Sequence, residues 1–406
     1  MVDNNNKNND NNKVFDPWGF FRLEMAWYEI PTSEKTLERQ EALDRKRDRK
    51  WAAMTHHAGG LEVFCAKASR KKKLKERVRK GVPRAWRRAI WPALLEVSVK
   101  PERSQARGAA SYRAEAAREG ITYAALCKKT AGDPPRDSVR DVIERDLCRT
   151  YPKHRLFETK TESTGVASLR RVLRAYAEFD PQTEYCQGMN YVAALLIIHV
   201  CGEDSIDAAR RSVNDPTRSI TRMRSREHLL TLDGSAEEDA FWLFVAALKA
   251  PRTRLRDLYG PGMPGSREAL SVFDALLADS HPALHAHMRR ENCFPDMFAT
   301  HWIVTVFSAQ FPFALVARVW DQFFLEGWKP VYRVAVAILA AYEKDLRAKD
   351  FESLMTFLRD LPDRVDVDRV FSLASKLNIK THTIDKLERQ FKLPPDDDDR
   401  HHPAPR

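Results

Sequence analysis

Two short segments carry side chains that suit phosphoryl-transfer chemistry: residues 143–149 (IERDLCR) and residues 185–187 (YCQ). Arg149 has a permanently charged, planar guanidinium, which binds phosphate oxygens through two parallel hydrogen bonds. Gln187 has an amide that can donate one hydrogen bond to a water molecule and accept another from it. An arginine combined with a water-orienting glutamine is the pair that GTP hydrolysis requires. Arg149 and Gln187 are therefore candidate catalytic residues.

The first segment lies in a predicted helix over residues 139–150. Ile143, Asp146 and Arg149 are three residues apart and share one face of that helix. Ile143 can anchor the helix to the core, and Asp146 can orient the guanidinium. Pro152 follows, so we expect Arg149 in the last turn, where the helix dipole favours a cation. By itself the segment fits an ordinary surface ion pair, worth about 0.2–0.5 kcal/mol, better than a catalytic arginine.

The second segment lies just before a predicted apolar helix that begins near Asn190. Gly188 permits close backbone approach, so Gln187 can stand at the mouth of a groove. An alternative fits equally well: a helix-capping cluster in which Gln187 and Asn190 satisfy exposed amides. No histidine–carboxylate set is readable around Cys186, which makes a nucleophilic thiol a poor hypothesis.

Composition sets broad limits. The chain has 406 residues, 43% of them hydrophobic, enough for two or three domains or lobes. The net charge of +11 favours acidic partners such as nucleic acid, an anionic membrane or an acidic protein face, without choosing among them. The six cysteines form no CxxC motif, which indicates free thiols in a reducing compartment. With no secretory signal and a longest apolar run (residues 191–201) too short to span a bilayer, a soluble intracellular protein with a buried helix there is predicted.

The periodicity of apolar residues predicts an all-α fold. From residue 83 to about 380, apolar residues recur at three- and four-residue spacing, and strand-like alternation is nearly absent. The predicted helices include residues 139–150, 168–179, 190–200, 237–248, 267–277, 298–307, 314–324 and 332–343. Trp302, Phe307 and Trp320 are predicted to belong to the core.

Several motifs occur in the order found in one known family, and the chain resembles the TBC-domain family of Rab GTPase-activating proteins. The family's IxxDxxR motif appears as Ile143, Asp146 and Arg149, and its YxQ motif as Tyr185 and Gln187. Other matching positions are Gly81-Val82-Pro83, Arg87, Trp91, Gly188-Met189-Asn190, Phe241-Trp242, Trp302, Phe307, Pro312, Val319-Trp320-Asp321 and Glu326-Gly327. Ordered motifs of this kind are more specific than either short segment alone.

The resemblance implies a two-lobed, V-shaped helical domain whose groove receives a GTPase. Arg149 would enter the partner's nucleotide site, and Gln187 would position the attacking water in place of the GTPase's own glutamine. Asp146 would orient Arg149, Tyr185 would support the Gln187 loop, and Arg87 would join the polar network of the groove. Ile143, Gly188 and Asn190 complete the supporting residues.

The resemblance also implies the partners. GTP and Mg²⁺ would be carried by a GTP-bound Rab-type GTPase, so the chain needs no cofactor or metal of its own and no independent hydrolase activity. It would act in vesicle trafficking, in the cytoplasm and peripherally on endomembranes. An anionic membrane is a further expected contact, and no nucleic acid is expected.

The predicted organisation follows from the extent of the match. It comprises a disordered Asn-rich tail (1–13), a helical extension with a basic segment (14–78), the TBC domain (79–345) with an insertion (203–235), C-terminal helices packed on the second lobe (346–392) and a disordered acidic tail (393–406).

Other hypotheses remain open at the level of sequence. The chain could be a catalytically silent Rab-binding scaffold, although intact Arg149 and Gln187 disfavour this. It could also be a basic membrane- or nucleic-acid-binding protein that uses residues 70–80, although such runs are more often solvated helix faces. A zinc site from His281, His285, His287 and Cys293 has plausible spacing but lacks a second ligand pair.

Overall fold

Helices and turns make up the computed structural model, which describes residues 34–57, 60, 64, 71–97, 107–132, 138–154, 156–158, 163–201, 234–260 and 262–392. No β-strand element occurs within these ranges, and the predicted all-α class is confirmed. The predicted tails 1–13 and 393–406 and residues 203–233 of the predicted insertion lie outside the described residues. Gly234 and Ser235, assigned above to the insertion, instead begin a helix.

The helices fall into two sets along the chain. The first set is α1 (Glu34–His56), α2 (Lys71–Arg79), α3 (Arg87–Glu96), α4 (Ala109–Arg118), α5 (Tyr123–Lys129), α6 (Val139–Leu147), α7 (Thr164–Phe179), α8 (Met189–Cys201) and α9 (Gly234–Lys249). The second set is α10 (Pro264–Ser280), α11 (Pro282–Arg290), α12 (Pro295–Phe298), α13 (Thr300–Val304), α14 (Phe313–Glu326), α15 (Trp328–Ala341), α16 (Glu343–Leu346), α17 (Phe351–Arg364), α18 (Val367–Lys376) and α19 (Thr381–Phe391). Short 3₁₀ turns cover Arg84–Trp86 and Leu255–Leu258.

Helix α8 is the centre of the first set. Helices α3, α6, α7 and α9 all pack against it, and residues 192–197 are completely buried. A helix surrounded in this way is apolar on every side rather than on one stripe. The predicted buried helix at residues 191–201 is therefore confirmed. Nowhere in the described ranges is a helix both long and apolar enough to cross a membrane.

Helix α15 is the centre of the second set, packed by α10, α14 and α18, and α19 in turn packs on α10. Trp302, Phe307 and Trp320 are buried, as predicted for core residues. The single helix predicted over residues 298–307 is wrong. The helix is interrupted between α12 and α13. Beyond α13, Val306 and Phe307 take positive φ angles of 47° and 67°. This turn exposes the Val306 carbonyl to the Trp320 indole, which donates a hydrogen bond to it at 3.1 Å.

A buried ion pair connects α3 to α14. The Arg87 guanidinium donates to both oxygens of Asp321, at 2.9 and 3.2 Å. The Trp91 indole and the Val82 backbone amide also donate to this carboxylate, each at 2.8 Å. The side chains of Arg87 and Asp321 are 4% and 0% exposed. Arg87, expected above to join the polar network of the groove, is held inside the core by a partner that lies 234 residues away.

The basic segment at residues 70–80 is amphipathic. Leu74 and Val78 of α2 are buried, and α2 packs on α14. Lys75 and Arg79 bind Glu326, at 2.9 and 2.6 Å. This helix is therefore attached to the domain by both apolar and ionic contacts, and its Lys72 and Lys73 are exposed.

Candidate functional site

Arg149 lies in a turn directly after α6, because α6 ends at Leu147 rather than at residue 150. The Asp146 carbonyl accepts a hydrogen bond from the Thr150 hydroxyl, at 2.7 Å. A side-chain hydroxyl thus replaces the next backbone donor of the helix. Tyr151 then takes a positive φ of 46°, which turns the chain away. The prediction that Arg149 occupies the last helical turn is wrong, because Arg149 lies two residues beyond the end of the helix.

The Asp146 carboxylate is the hub of the site. Its Oδ1 accepts from Arg149 Nε at 2.8 Å and from the terminal nitrogen at 2.7 Å. Its Oδ2 accepts from the Tyr185 hydroxyl at 2.5 Å. The side chain of Asp146 is 7% exposed, whereas that of Arg149 is 46% exposed. The predicted contact between Asp146 and Arg149 is present, and one carboxylate connects the two motif segments.

Tyr185 is a permanent donor in this hub. Burial, followed by the hydrogen bond to Asp146, raises the pKa of its phenol far above the ordinary value. The neutral phenol therefore satisfies the inner oxygen of Asp146. Oδ1 of Asp146 binds Nε and one terminal nitrogen of Arg149. The rest of the Arg149 guanidinium faces solvent.

A second bridge joins the same two turns below the hub. Asn190 is fully buried and donates to the Thr150 hydroxyl at 2.8 Å. Its carbonyl oxygen accepts from the Gly188 amide at 3.1 Å. Thr150, which also donates to the Asp146 carbonyl, passes the connection on to α6. The turn after α6 and the turn before α8 are consequently held together at two levels.

Gly188 allows the Gln187 turn to press against α13. Its φ is 108°, a region that disfavours residues with a Cβ atom. A Cβ here would lie 3.2 Å from Val304 Cγ1 and 3.3 Å from Thr305 Cγ2. The predicted close approach at this glycine is therefore observed.

Gln187 is exposed at this turn. Within the described ranges its carboxamide has no hydrogen-bond partner, so only Asn190 acts as the predicted amide cap. Burial raises the pKa of the adjacent Cys186 thiol, which opposes a nucleophilic role. Upstream, Asp180 anchors the loop by accepting from Arg256, at 2.6 and 2.9 Å. The loop is fixed at both ends while the amide faces outwards.

Sequence reasoning missed three supporting side chains. Thr150 carries the second bridge, Tyr191 donates its hydroxyl to the Arg149 carbonyl at 3.2 Å, and Tyr151 donates to the Ser308 carbonyl at 2.7 Å. Thr150 and Tyr151 directly follow Arg149, and Tyr191 directly follows Asn190. Their adjacency to the motifs was the available signal, but their partners are distant in sequence.

The histidines considered for zinc have separate partners. His281 contacts Glu343 at 3.0 Å, His285 contacts Asp274 at 3.2 Å, and His287 contacts the Lys349 carbonyl at 2.9 Å. In the described part of the chain, no group of three or more histidine, cysteine or acidic residues could hold a metal ion.

Comparison with known proteins identifies the family. The model of the Rab-GTPase-TBC domain matches residues 84–347. The chain is 26% identical to the human ecotropic viral integration site 5 protein homolog over 79% of this chain and 33% of that protein. It is 29% identical to mouse TBC1 domain family member 10B, again over 79% of this chain and 33% of that protein. The chain thus spans about a third of the length of these relatives.

A solved structure shares the fold. The TBC domain of a Chlamydomonas flagellar RabGAP superposes with a TM-score of 0.62 at 24% identity, covering 89% of this chain and 99% of that domain. The match extends beyond residues 84–347, so helices on either side of the matched segment take part in the common architecture. By the extent of the family match, the chain belongs to the Rab-GTPase-TBC domain family.

Proposed function

We propose that this protein activates GTP hydrolysis on a Rab-type GTPase by supplying Arg149 and Gln187 in trans. The observation that carries the proposal is the Asp146 hub. One carboxylate accepts hydrogen bonds from both Arg149 Nε and the Tyr185 hydroxyl. Two residues beyond Tyr185, Gln187 is exposed. Family membership supplies the class of partner.

Arg149 supplies positive charge where negative charge develops in the transition state. Its side chain is 46% exposed while Asp146 holds Nε and one terminal nitrogen, so the other terminal nitrogen can reach the transferring phosphoryl group of a docked partner. An arginine donated in trans raises GTP hydrolysis about 10³–10⁵-fold, or about 4–7 kcal/mol of barrier. GTP and Mg²⁺ come with the partner.

Gln187 orients the attacking water. Its amide can accept a hydrogen bond from that water and donate one to a phosphate oxygen. The bridge from Asn190 to Thr150 holds its turn against the Arg149 turn before any partner arrives. Preorganised donors of this kind lower the barrier because they need no rearrangement during reaction.

The direct test is a single-turnover hydrolysis assay across a panel of GTP-loaded Rab-type GTPases. We expect the wild-type chain to accelerate one or a few of them, and Arg149→Ala and Gln187→Ala to lose most of that acceleration. Arg145→Ala is the matched control, since Arg145 is an exposed arginine one turn earlier that pairs with Asp141. No acceleration on any GTPase, or equal activity of all four proteins, would contradict the proposal.

The role of Gln187 has its own test. A responsive GTPase whose own water-orienting glutamine is replaced by alanine should still be stimulated by the wild-type chain. GTP hydrolysis by the same GTPase variant should not be stimulated by Gln187→Ala. If the GTPase variant is unresponsive to the wild-type chain although it binds, the partner's glutamine orients the water and Gln187 does not. Tight binding without stimulation of any GTPase would instead support the silent scaffold.

A further inference from the structure

The turn that ends α13, residues 304–308, accepts hydrogen bonds from three aromatic side chains. Its carbonyls at positions 304, 306 and 308 accept from the Tyr259 hydroxyl at 2.6 Å, the Trp320 indole at 3.1 Å and the Tyr151 hydroxyl at 2.7 Å. Tyr151 lies in the turn after α6, Tyr259 directly follows the second 3₁₀ turn, and Trp320 belongs to α14. The 304–308 turn is therefore a place where distant parts of the chain meet.

The backbone of the 304–308 turn is strained. The Val306 amide donates to the Ile303 carbonyl at 3.2 Å, and the Phe307 amide donates to the Trp302 carbonyl at 2.8 Å. This pair of bonds is a Schellman cap, in which the position held here by Val306 has a positive φ and is usually glycine. A β-branched residue with a φ of 47° is sterically disfavoured. Such strain persists only where surrounding contacts hold it, and it is concentrated at functional sites.

The Gln187 turn rests on this segment. A Cβ at Gly188 would lie 3.2 Å from Val304, 3.3 Å from Thr305 and 3.9 Å from Tyr259 Cε1. Tyr259 therefore lies against Gly188 while its hydroxyl binds the Val304 carbonyl. Burial raises the pKa of this phenol far above its ordinary value, so the hydroxyl remains a donor.

The Arg149 turn reaches the same segment through Tyr151, two residues further along the chain. The Tyr151 hydroxyl is 2.7 Å from the Ser308 carbonyl and 3.5 Å from the Tyr191 carbonyl, so Ser308 is the closer acceptor. The Tyr151 ring packs edge-on against Phe313 at the start of α14, with 5.3 Å between the ring centroids. Both turns that carry candidate catalytic side chains thus contact one segment of the second set of helices.

We propose that the 304–308 turn is a common support that positions Arg149 and Gln187 for the reaction, with Tyr151 and Tyr259 as positioning residues. This inference rests on the proposed GTPase-activating function. The shared carboxylate and the asparagine bridge join the two turns to each other within the first set of helices. The 304–308 turn adds their placement relative to the second set. A partner docked across both sets would then meet the two side chains already in position, and such preorganisation lowers the barrier.

The kinetic test is single-turnover hydrolysis by a responsive GTPase with Tyr151→Phe and Tyr259→Phe, each of which removes one hydroxyl and keeps the ring. Each variant should lower the rate at saturating chain about 3- to 10-fold, the effect of one lost hydrogen bond. The half-saturating concentration should not change, because neither hydroxyl is proposed to contact the partner. Tyr342→Phe is the matched control, since the Tyr342 hydroxyl likewise donates to a backbone carbonyl, that of Arg364 at 2.6 Å. This control should retain the wild-type rate.

A second measurement needs no GTPase. Backbone hydrogen exchange of the full chain, followed by mass spectrometry, should be about 3- to 10-fold faster at residues 148–151 in Tyr151→Phe and at residues 186–189 in Tyr259→Phe. Tyr342→Phe should accelerate exchange in neither turn. Exchange that is unchanged in both turns, or saturating rates that are unchanged on a responsive GTPase, would overturn the proposal. If exchange rises as expected but the wild-type chain stimulates no GTPase, the support is present and the proposed catalytic function is wrong.

Discussion

Two of the arginine–aspartate clusters in the described residues, Arg87–Asp321 and Arg149–Asp146, differ mainly in burial. Arg87 and Asp321 are 4% and 0% exposed, and every identified donor to Asp321 comes from the interior. Asp146 is also buried, at 7%, but Arg149 is 46% exposed. In the first cluster the arginine completes the core. In the second the carboxylate is fixed and the arginine is left with a free outer side.

This difference separates structure from chemistry within one kind of ion pair. Removing one partner of a buried pair leaves an uncompensated charge in the interior. Removing Asp146 leaves Arg149, which water can solvate, and removing Arg149 leaves Asp146 with the Tyr185 hydroxyl still donating to it. The two clusters should therefore respond in opposite ways to substitution, the core cluster in stability and the Asp146 hub in reaction rate.

The largest expected effect is on rate at Arg149. Arg149→Ala should lower GTPase stimulation about 10³–10⁵-fold, while the free energy of unfolding falls by less than the roughly 3–5 kcal/mol expected for a fully buried pair, because the Tyr185 hydroxyl still donates to Asp146. Single-turnover hydrolysis and urea unfolding measure the two quantities on the same preparation. Arg149→Lys keeps the charge but not the planar fork, and should recover only a small part of the rate. A large loss of stability in Arg149→Ala would remove the contrast with Arg87.

The next effect is on stability at Asp321. Asp321→Ala should lower the free energy of unfolding by about 3–5 kcal/mol, because Arg87 remains buried without its counterion. Asp321→Asn keeps an acceptor of the same shape and should cost less. Urea unfolding followed by tryptophan fluorescence reports both variants. The fraction that stays folded should stimulate the GTPase normally, and a rate defect in folded protein would tie Asp321 to the chemistry.

A smaller effect is expected at the shared carboxylate. Asp146→Asn should lower stimulation about 10- to 100-fold, the loss of about 1.4–3 kcal/mol of charge-assisted orientation. Its stability should fall less than that of Asp321→Asn, since Arg149 can turn to solvent. Comparison of the two asparagine variants by rate and by unfolding is the sharpest measure of the difference between clusters. Equal stability losses would show that exposure of the arginine is irrelevant.

The smallest effect is expected at Tyr185. Tyr185→Phe removes one hydrogen bond to Asp146 and should cost about 0.5–1.5 kcal/mol in rate. In a double-mutant cycle with Asp146→Asn the two losses should be less than additive, because both act on the same contact. Strict additivity would mean that Tyr185 supports the Gln187 loop by packing and not through the carboxylate.

The periodic helices were predictable from sequence because their apolar positions repeat locally. The predicted helix over residues 168–179 becomes Thr164–Phe179, with the Ser163 side chain accepting from the Val166 amide at its start. The Asp146–Arg149 contact was likewise readable, since both partners lie within one turn.

What could not be predicted depends on distant partners. Arg87 and Asp321 are 234 positions apart, and the sequence alone gives no reason to place Arg87 in the core. The break within residues 298–307 serves the Trp320 indole, and the end of α6 serves the hydroxyl of Thr150. In the last two cases a continuous helical pattern is interrupted where a side chain forms a hydrogen bond to a backbone carbonyl.

The Asn190 bridge has a consequence for how such a domain can be re-engineered. Asn190 forms one hydrogen bond with Thr150 and another with Gly188. The distance between the two turns is therefore set by the domain itself. A chimaera that exchanges residues 146–151 without residues 185–191 would change the packing between the two turns, even if Asp146, Arg149, Tyr185 and Gln187 were retained. The two turns therefore have to be exchanged together, although 33 residues separate them along the chain.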